Sequence, residues 1–435
     1  MSLRSRWLVL SIIVCMGVVA QPAPPRNARP AAPAIKVRGE LAFSAGRSAA
    51  SACAISHPAP PPRRGFFSAV AAVSTHDIWA VGGVGDQDAG DTKGQPLVEH
   101  WDGVRWNVVP SPNPGGGALT GVAAVSSRDV WAVGNSRGQP LIEHWDGVRW
   151  TIAPSPRSPG APLPLGGVGY RLNGVAALST RDVWAAGTWS GGQGALIEHW
   201  DGAHWRVVAN PQTEENDVAA VAAVSGRDVW VAGSDVGGIA ETMTQHWDGA
   251  RWRLVDGPAN GPIHEGYLTA ITALSARDVW AVGGYDDSNL DRGGTGPLAQ
   301  HWNGARWQAV TVPNVDDAPL SDVAGASARD VWAIGADIMH WDGTSWQIVP
   351  SSPAIDGLSA VAALSSHDAW VVGVSHGLPA AEHWDGRRWA VVPAAPTDTL
   401  PTGQGLAVLP SPFDADMAVG KGSPPSPPGT SGSSG

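Results

Sequence analysis

His144-Trp145-Asp146-Gly147-Val148-Arg149-Trp150 decides how the chain is read. The pattern His-Trp-Asp-Gly-x-x-Trp also begins at His100, His199, His246, His340 and His383, and once more at His301, with Asn303 in place of Asp. Each copy follows a run like Asp129 to Gly134, centred on Trp79, Trp131, Trp184, Trp230, Trp280, Trp332 and Trp370. Successive centres lie 52, 53, 46, 50, 52 and 38 residues apart. A period in this range marks a solenoid, a propeller or an array.

Each repeat holds four strand-like runs. In the second they are Leu119 to Val125, Asp129 to Gly134, Leu141 to Trp145 and Arg149 to Pro154. All are short, rich in β-branched or aromatic residues, and bounded by Gly, Pro, Ser or Asp. No window shows a sustained helical period. The expectation is an all-β fold: a β-propeller of four-stranded antiparallel blades, with seven complete repeats.

Two connections are nearly constant: Ser126-Ser127-Arg128-Asp129 between strands one and two, and Asp146-Gly147 between strands three and four. Gly tolerates positive φ and Asp bonds its local backbone, so Asp-Gly is a strong hairpin signal. A two-residue turn would pair His144 with Arg149, and a longer one Trp145 with Trp150. The other connections vary. From the second-strand Trp to the motif His the distances are 21, 13, 15, 16, 21, 8 and 13 residues. In a meander, turns alternate between sheet ends, so the constant turns share one face and the variable loops the other. Variable loops on a rigid scaffold commonly carry binding residues.

The motifs resemble those of Asp-box and kelch propellers. A Trp-Ala-Val-Gly strand followed by an Asp-Gly-x-x-Trp hairpin is similar to propellers of the photosystem II assembly-factor type. The resemblance spans residues 66–395 and implies the fold, not the role. Two departures stand out. The Asp-box has a residue between Asp and Gly that is missing here, and the kelch Gly-Gly pair occurs only at Gly82-Gly83 and Gly283-Gly284.

Outside the repeats, residues 1–20 read as a secretory signal, with Arg4 and Arg6 before an apolar run. A membrane is expected as partner only if this segment is retained as an anchor. Residues 21–35 form a Pro/Ala-rich spacer, residues 36–65 hold candidate closing strands, residues 66–421 the propeller, and residues 422–435 a Ser/Pro/Gly tail. Leu406 to Leu409 and Met417 to Gly420 echo half a repeat. Paired with residues 36–57 they would build a composite eighth blade, closed by both termini and hiding sheet edges. Seven and eight blades both stand open on the sequence.

Of 23 Trp, 21 fall in the repeat frame, which points to packing. The seven Trp centres and the seven motif histidines (His100, His144, His199, His246, His301, His340 and His383) are expected to be structural. Zinc needs converging ligands, and one His per blade is spread around a ring. Ser126, Asp129, Trp131 and His144 instead suggest a hydrogen-bonded staple within the blade, as in WD-repeat propellers. No cofactor is expected. The formal charge of −11 argues against a nucleic-acid partner.

The rim carries the unusual residues. Tyr170, Tyr267 and Tyr285 are the three tyrosines, and Trp189 is the one Trp outside the frame after the signal. With Asp286 and Asp287 they form the candidate ligand-binding set, since aromatics beside polar groups suit ligand platforms. Asp86, Asp88 and Asp91 have spacing that could supply calcium oxygens, without the full loop such sites use. The expected function is an exported, monomeric, non-enzymatic scaffold presenting this rim to a protein or a glycan. The alternative is an extracellular carbohydrate-active hydrolase or lyase with rim carboxylates at the central channel. A lectin with one site per blade would need repeated rim side chains, and the rim loops differ.

Overall fold

The structure is a computed structural model. The chain divides into residues 1–59 and 60–435, and the described residues all lie in the second unit. They are residues 63–397 without 86–93, 157–168, 190–193, 212–215, 236–240, 259–265, 287–293 and 353–354. Twenty-eight strands form seven four-stranded antiparallel sheets, each in sequence order. The blades run Gly65–Val108, Ala118–Ile152, Tyr170–Val207, Asn216–Val255, Gly266–Ala309, Asp322–Val349 and Gly357–Val392. The first strands pack against one another in a closed cycle, blade 1 against blade 7 included, so they form the inner ring.

The ring closes at seven. Trp370 of blade 7 sits 5.2 Å from Trp101 and 5.6 Å from Trp106 of blade 1, the same contact that every other blade makes with its successor. The eighth-blade alternative is therefore corrected: blade 7 packs directly on blade 1 and leaves no gap. Residues 36–57 and 405–420, which suggested it, lie outside the described residues.

The hairpin that opened the reading takes the longer form. Trp145 pairs with Trp150, and His144 with Thr151. Asp146 closes the turn itself, its Oδ1 accepting the N–H groups of Val148 and Arg149 at 2.8 and 2.9 Å. Gly147 supplies φ of 91°. A β-carbon there would also fall 2.9 Å from the Arg128 side chain, so the two constant turns touch. The Trp145 indole N–H donates to Ser127 O at 3.2 Å, joining them again. Both constant turns thus lie at one end of the blade.

At the opposite end the connections differ. Blades 2 and 7 close with Arg137-Gly138 and His376-Gly377, positive φ at both positions, the pattern of a type I′ turn. The remaining blades use longer connections.

Each core cluster spans two blades. Trp79, Val81 and Val98 of blade 1 pack with Leu119, Val122 and Trp150 of blade 2. Trp131 of blade 2 meets Trp200 and Trp205 of blade 3 at 5.3 and 5.4 Å, the second edge-on. Edge and offset contacts suit the ring quadrupole. Near the axis the first strand bulges, at Thr120 in blade 2 and Thr269 in blade 5. The freed hydroxyls reach the next blade, Thr120 Oγ1 to Leu172 O at 2.7 Å and Thr269 Oγ1 to Leu320 O at 2.8 Å.

Candidate functional site

The repeated histidines sit where the fold is most regular. His144 Nε2 lies 2.8 Å from Asp129 Oδ1, and its ring stacks on Trp131 at 4.2 Å. All seven blades repeat the His–Asp contact at 2.7 to 2.9 Å. The staple is His, Asp and Trp without Ser. Ser126 Oγ instead accepts the N–H of Arg128 at 3.3 Å within the turn. In blades 3 and 4 the same Asp oxygen also takes the indole N–H, Trp184 to Asp182 and Trp230 to Asp228 at 3.0 Å each. Among the described residues no three His, Cys, Asp or Glu gather as a metal site. Asp86, Asp88 and Asp91 lie outside those residues.

If the pair is a structural staple, His144→Ala should cost about 1–3 kcal/mol, because it leaves the Asp129 carboxylate without its partner. Chemical denaturation would measure this, and an unchanged midpoint would refute the role.

A second repeated set lies one residue before each motif His, which the motif as first drawn does not include. Glu99, Glu143, Glu198 and Glu382 are 0% exposed, as are Gln245 and Gln300, and blade 6 places Met339 there. Each polar member grips protein across the blade joint. Ser111 Oγ donates to Glu143 at 2.5 Å and Ser155 Oγ to Glu198 at 2.7 Å, both from the chain entering from the preceding blade. Pro112 and Pro156 follow those serines and have no N–H to offer. Where the corresponding residue is not proline, its backbone N–H donates instead, Ser352 to Glu382 at 3.3 Å and Ala395 to Glu99 at 2.8 Å. In blade 4 the polarity reverses, and Gln245 Nε2 donates to Pro211 O at 3.2 Å. Burial pushes Glu143 up to about 8 and Glu198 to about 7, partly offset by the serine hydroxyls. Burial likewise raises Glu382. These acids fasten one blade to the next, and burial favours their protonated form. The signal was present as Glu or Gln before His in six of the seven repeats.

On the rim, the candidate residues separate into two places. In blade 3, Tyr170 and Trp189 are paired across strands one and two, and their rings stack at 6.0 Å and 24°. Both are half-buried, and the Trp189 indole nitrogen is buried without a partner. On the other side of the same strands, Thr188 Oγ1 donates to Asp217 of blade 4 at 2.5 Å. In blade 5, Tyr267 lies over Gly284, where a β-carbon would fall 2.8 Å from its hydroxyl. Tyr285 covers Gly296 in the same way at 2.7 Å. Burial and then the charge of Asp286 raise the Tyr267 pKa. Asp287 lies outside the described residues. Blade 4 stands between the two groups.

No family model matches the chain, and no curated protein matches it. Among solved structures, it is similar to YCF48 bound to D1 peptide, with 14% identity, TM-score 0.47, and 72% of this chain and 92% of that one covered. For the structure of U3-55K the values are 16%, 0.49, 78% and 95%. For the fucose-specific lectin from Aleuria aurantia they are 14%, 0.40, 79% and 100%. Likeness at this level is too weak to place the chain in any family. The Asp-box and kelch resemblances find no matching family. Blade count and closure rest on the sheet order and the joints described above.

Proposed function

We propose that the chain is an exported binding scaffold whose variable face engages a protein or glycan ligand, with Tyr170 and Trp189 as its aromatic contact. The observation that carries this reading is the division of the blades. One end is fixed by near-identical turns, and the other carries connections that differ from blade to blade. On that second end all four aromatics are half-buried; Tyr267 and Tyr285 lie over glycines, whereas Tyr170 and Trp189 stack on each other. Stacked, partly exposed aromatics suit the apolar face of a sugar or an extended peptide. Export rests on residues 1–20. No helix of the described residues is long and apolar enough to cross a membrane.

The test is a glycan array beside a peptide-display selection, run on the wild type, Trp189→Ala and Tyr285→Ala. Loss of a signal in Trp189→Ala by tenfold or more, with Tyr285→Ala unchanged and melting temperatures preserved, is the expected result. Binding that survives in Trp189→Ala, or no ligand in either format, would overturn the assignment.

A further inference from the structure

The joint between blades 7 and 1 differs from the other six in one respect: no crossover enters blade 1 from blade 7. The contact that a crossover makes elsewhere is made here by residues 393–397, which follow the last strand of blade 7. Ala395 N–H donates to Glu99 Oε2 at 2.8 Å. Thr397, 2% exposed, donates its hydroxyl to Arg63 O at 2.5 Å. Gly65 N–H donates to Gly377 O at 2.9 Å. Residues 393–397 therefore act as a strap laid across blade 1, held at its middle by a carboxyl group.

Glu99 is a costly place for a charge. It is fully buried, and its second oxygen has no hydrogen-bond partner. Its cross-strand neighbours are Ala80 and Val108. The cluster at this joint adds Leu97, Trp106, Val372, Ala381, Val392, Ala394 and Ala395, all apolar. The ionisable groups on the surrounding strands are engaged elsewhere or turned away. Asp77 pairs with His100 and Asp368 with His383. Glu382 follows Ala381 in its strand, so alternation points it toward blade 6, where Ser352 meets it. The strap itself carries no charged residue. Burial accordingly pushes Glu99 up to about 7, with the Ala395 N–H pulling the other way.

We propose that Glu99 is a pH-sensitive clasp for the seam of the ring: uncharged it holds residues 393–397 against blade 1, and ionised it releases them. The sign follows from linkage. A carboxyl that holds its proton more tightly under the strap than in water makes strap opening more favourable as pH rises from the free value toward the strapped one. Release is local, because Trp370 against Trp101 and Trp106 still closes the ring.

Amide hydrogen exchange of residues 393–397 between pH 5 and 8, normalised to unstructured-peptide rates, tests the clasp. Protection in the wild type should fall by up to about tenfold per pH unit between pH 5 and 7, the limit for one proton. Glu99→Gln should flatten that fall, and Glu143→Gln should leave it in place. Glu99→Met, the residue type blade 6 uses at this position, is a second charge-free variant should the glutamine not fold. A wild-type profile that is flat, or a charge-free variant that keeps the wild-type slope, would overturn the proposal.

Discussion

Trp131→Ala is expected to lower the unfolding free energy by about 3–5 kcal/mol, the usual range for truncating a buried aromatic. Trp131 is 2% exposed and is shared by two blades. It supports His144 within blade 2 and wedges against Trp200 and Trp205 of blade 3. Truncation removes all three contacts and opens a cavity at the joint, which the flanking sheets cannot close without breaking their ladders. The loss should be local in its couplings, because each blade touches only its neighbours. A double-mutant cycle of Trp131→Ala with Trp205→Ala should show an interaction energy of about 0.5–3 kcal/mol, whereas a cycle with Trp280→Ala, whose contacts are to Trp341 and Trp346, should be additive. Urea denaturation of the six proteins, the wild type with three single and two double variants, measures both quantities. A loss below about 1 kcal/mol for Trp131→Ala would refute the wedge, and strong coupling to Trp280 would refute independent joints.

This arrangement separates what the sequence discloses from what it hides. The strands were legible because turn chemistry is local: Asp146 and Gly147 form their turn from their own side chain and φ, and seven copies leave little ambiguity. The division into a constant and a variable face followed from turn lengths alone. The register of the third hairpin was not legible, since both pairings satisfy Asp-Gly, and the Asp146 carboxylate decides it by capping two N–H groups. Contacts between blades were hidden for a different reason. Trp131 and Trp205 are far apart in sequence, and periodicity says which residues are equivalent without saying which neighbour they touch. The same gap concealed Glu143. In its own strand it reads as one polar residue beside a histidine, and its meaning comes from Ser111, which the preceding blade supplies. The echoes at 406–409 and 417–420 left an eighth blade open by likeness of sequence, but closure is set by whether the last sheet can reach the first. On the rim, composition grouped Tyr170, Trp189, Tyr267 and Tyr285, and the backbone assigns them to two different blades.

The buried acids give the second large effect, and its sign is opposite to that of most buried ion pairs. Glu143 moves from the ordinary 4.5 to about 8 because burial disfavours its charged form, with the Ser111 hydroxyl opposing this. Below pH 4.5 the folded and unfolded chains both hold the proton and the group costs nothing. Between about 4.5 and 8 the unfolded chain has released its proton and the folded chain has not, so stability falls by about 1.4 kcal/mol per pH unit. Above 8 both forms are ionised and the loss is constant, on the order of 4–5 kcal/mol at most, since hydration through a loosened crossover would reduce it. Glu143→Gln removes the titration and keeps the shape. The chain already carries this exchange at Gln245, where the amide finds Pro211 O, and Pro112 occupies the corresponding sequence position in the crossover to blade 2. The variant should therefore be more stable than the wild type at pH 8, by a margin that shrinks as pH falls and vanishes near pH 4.5. Unfolding midpoints at pH 5, 6.5 and 8 decide the matter. A constant difference across that range would mean that Glu143 does not titrate between the folded and unfolded states, and a wild type that gains stability toward pH 8 relative to the variant would mean that the carboxylate is held charged.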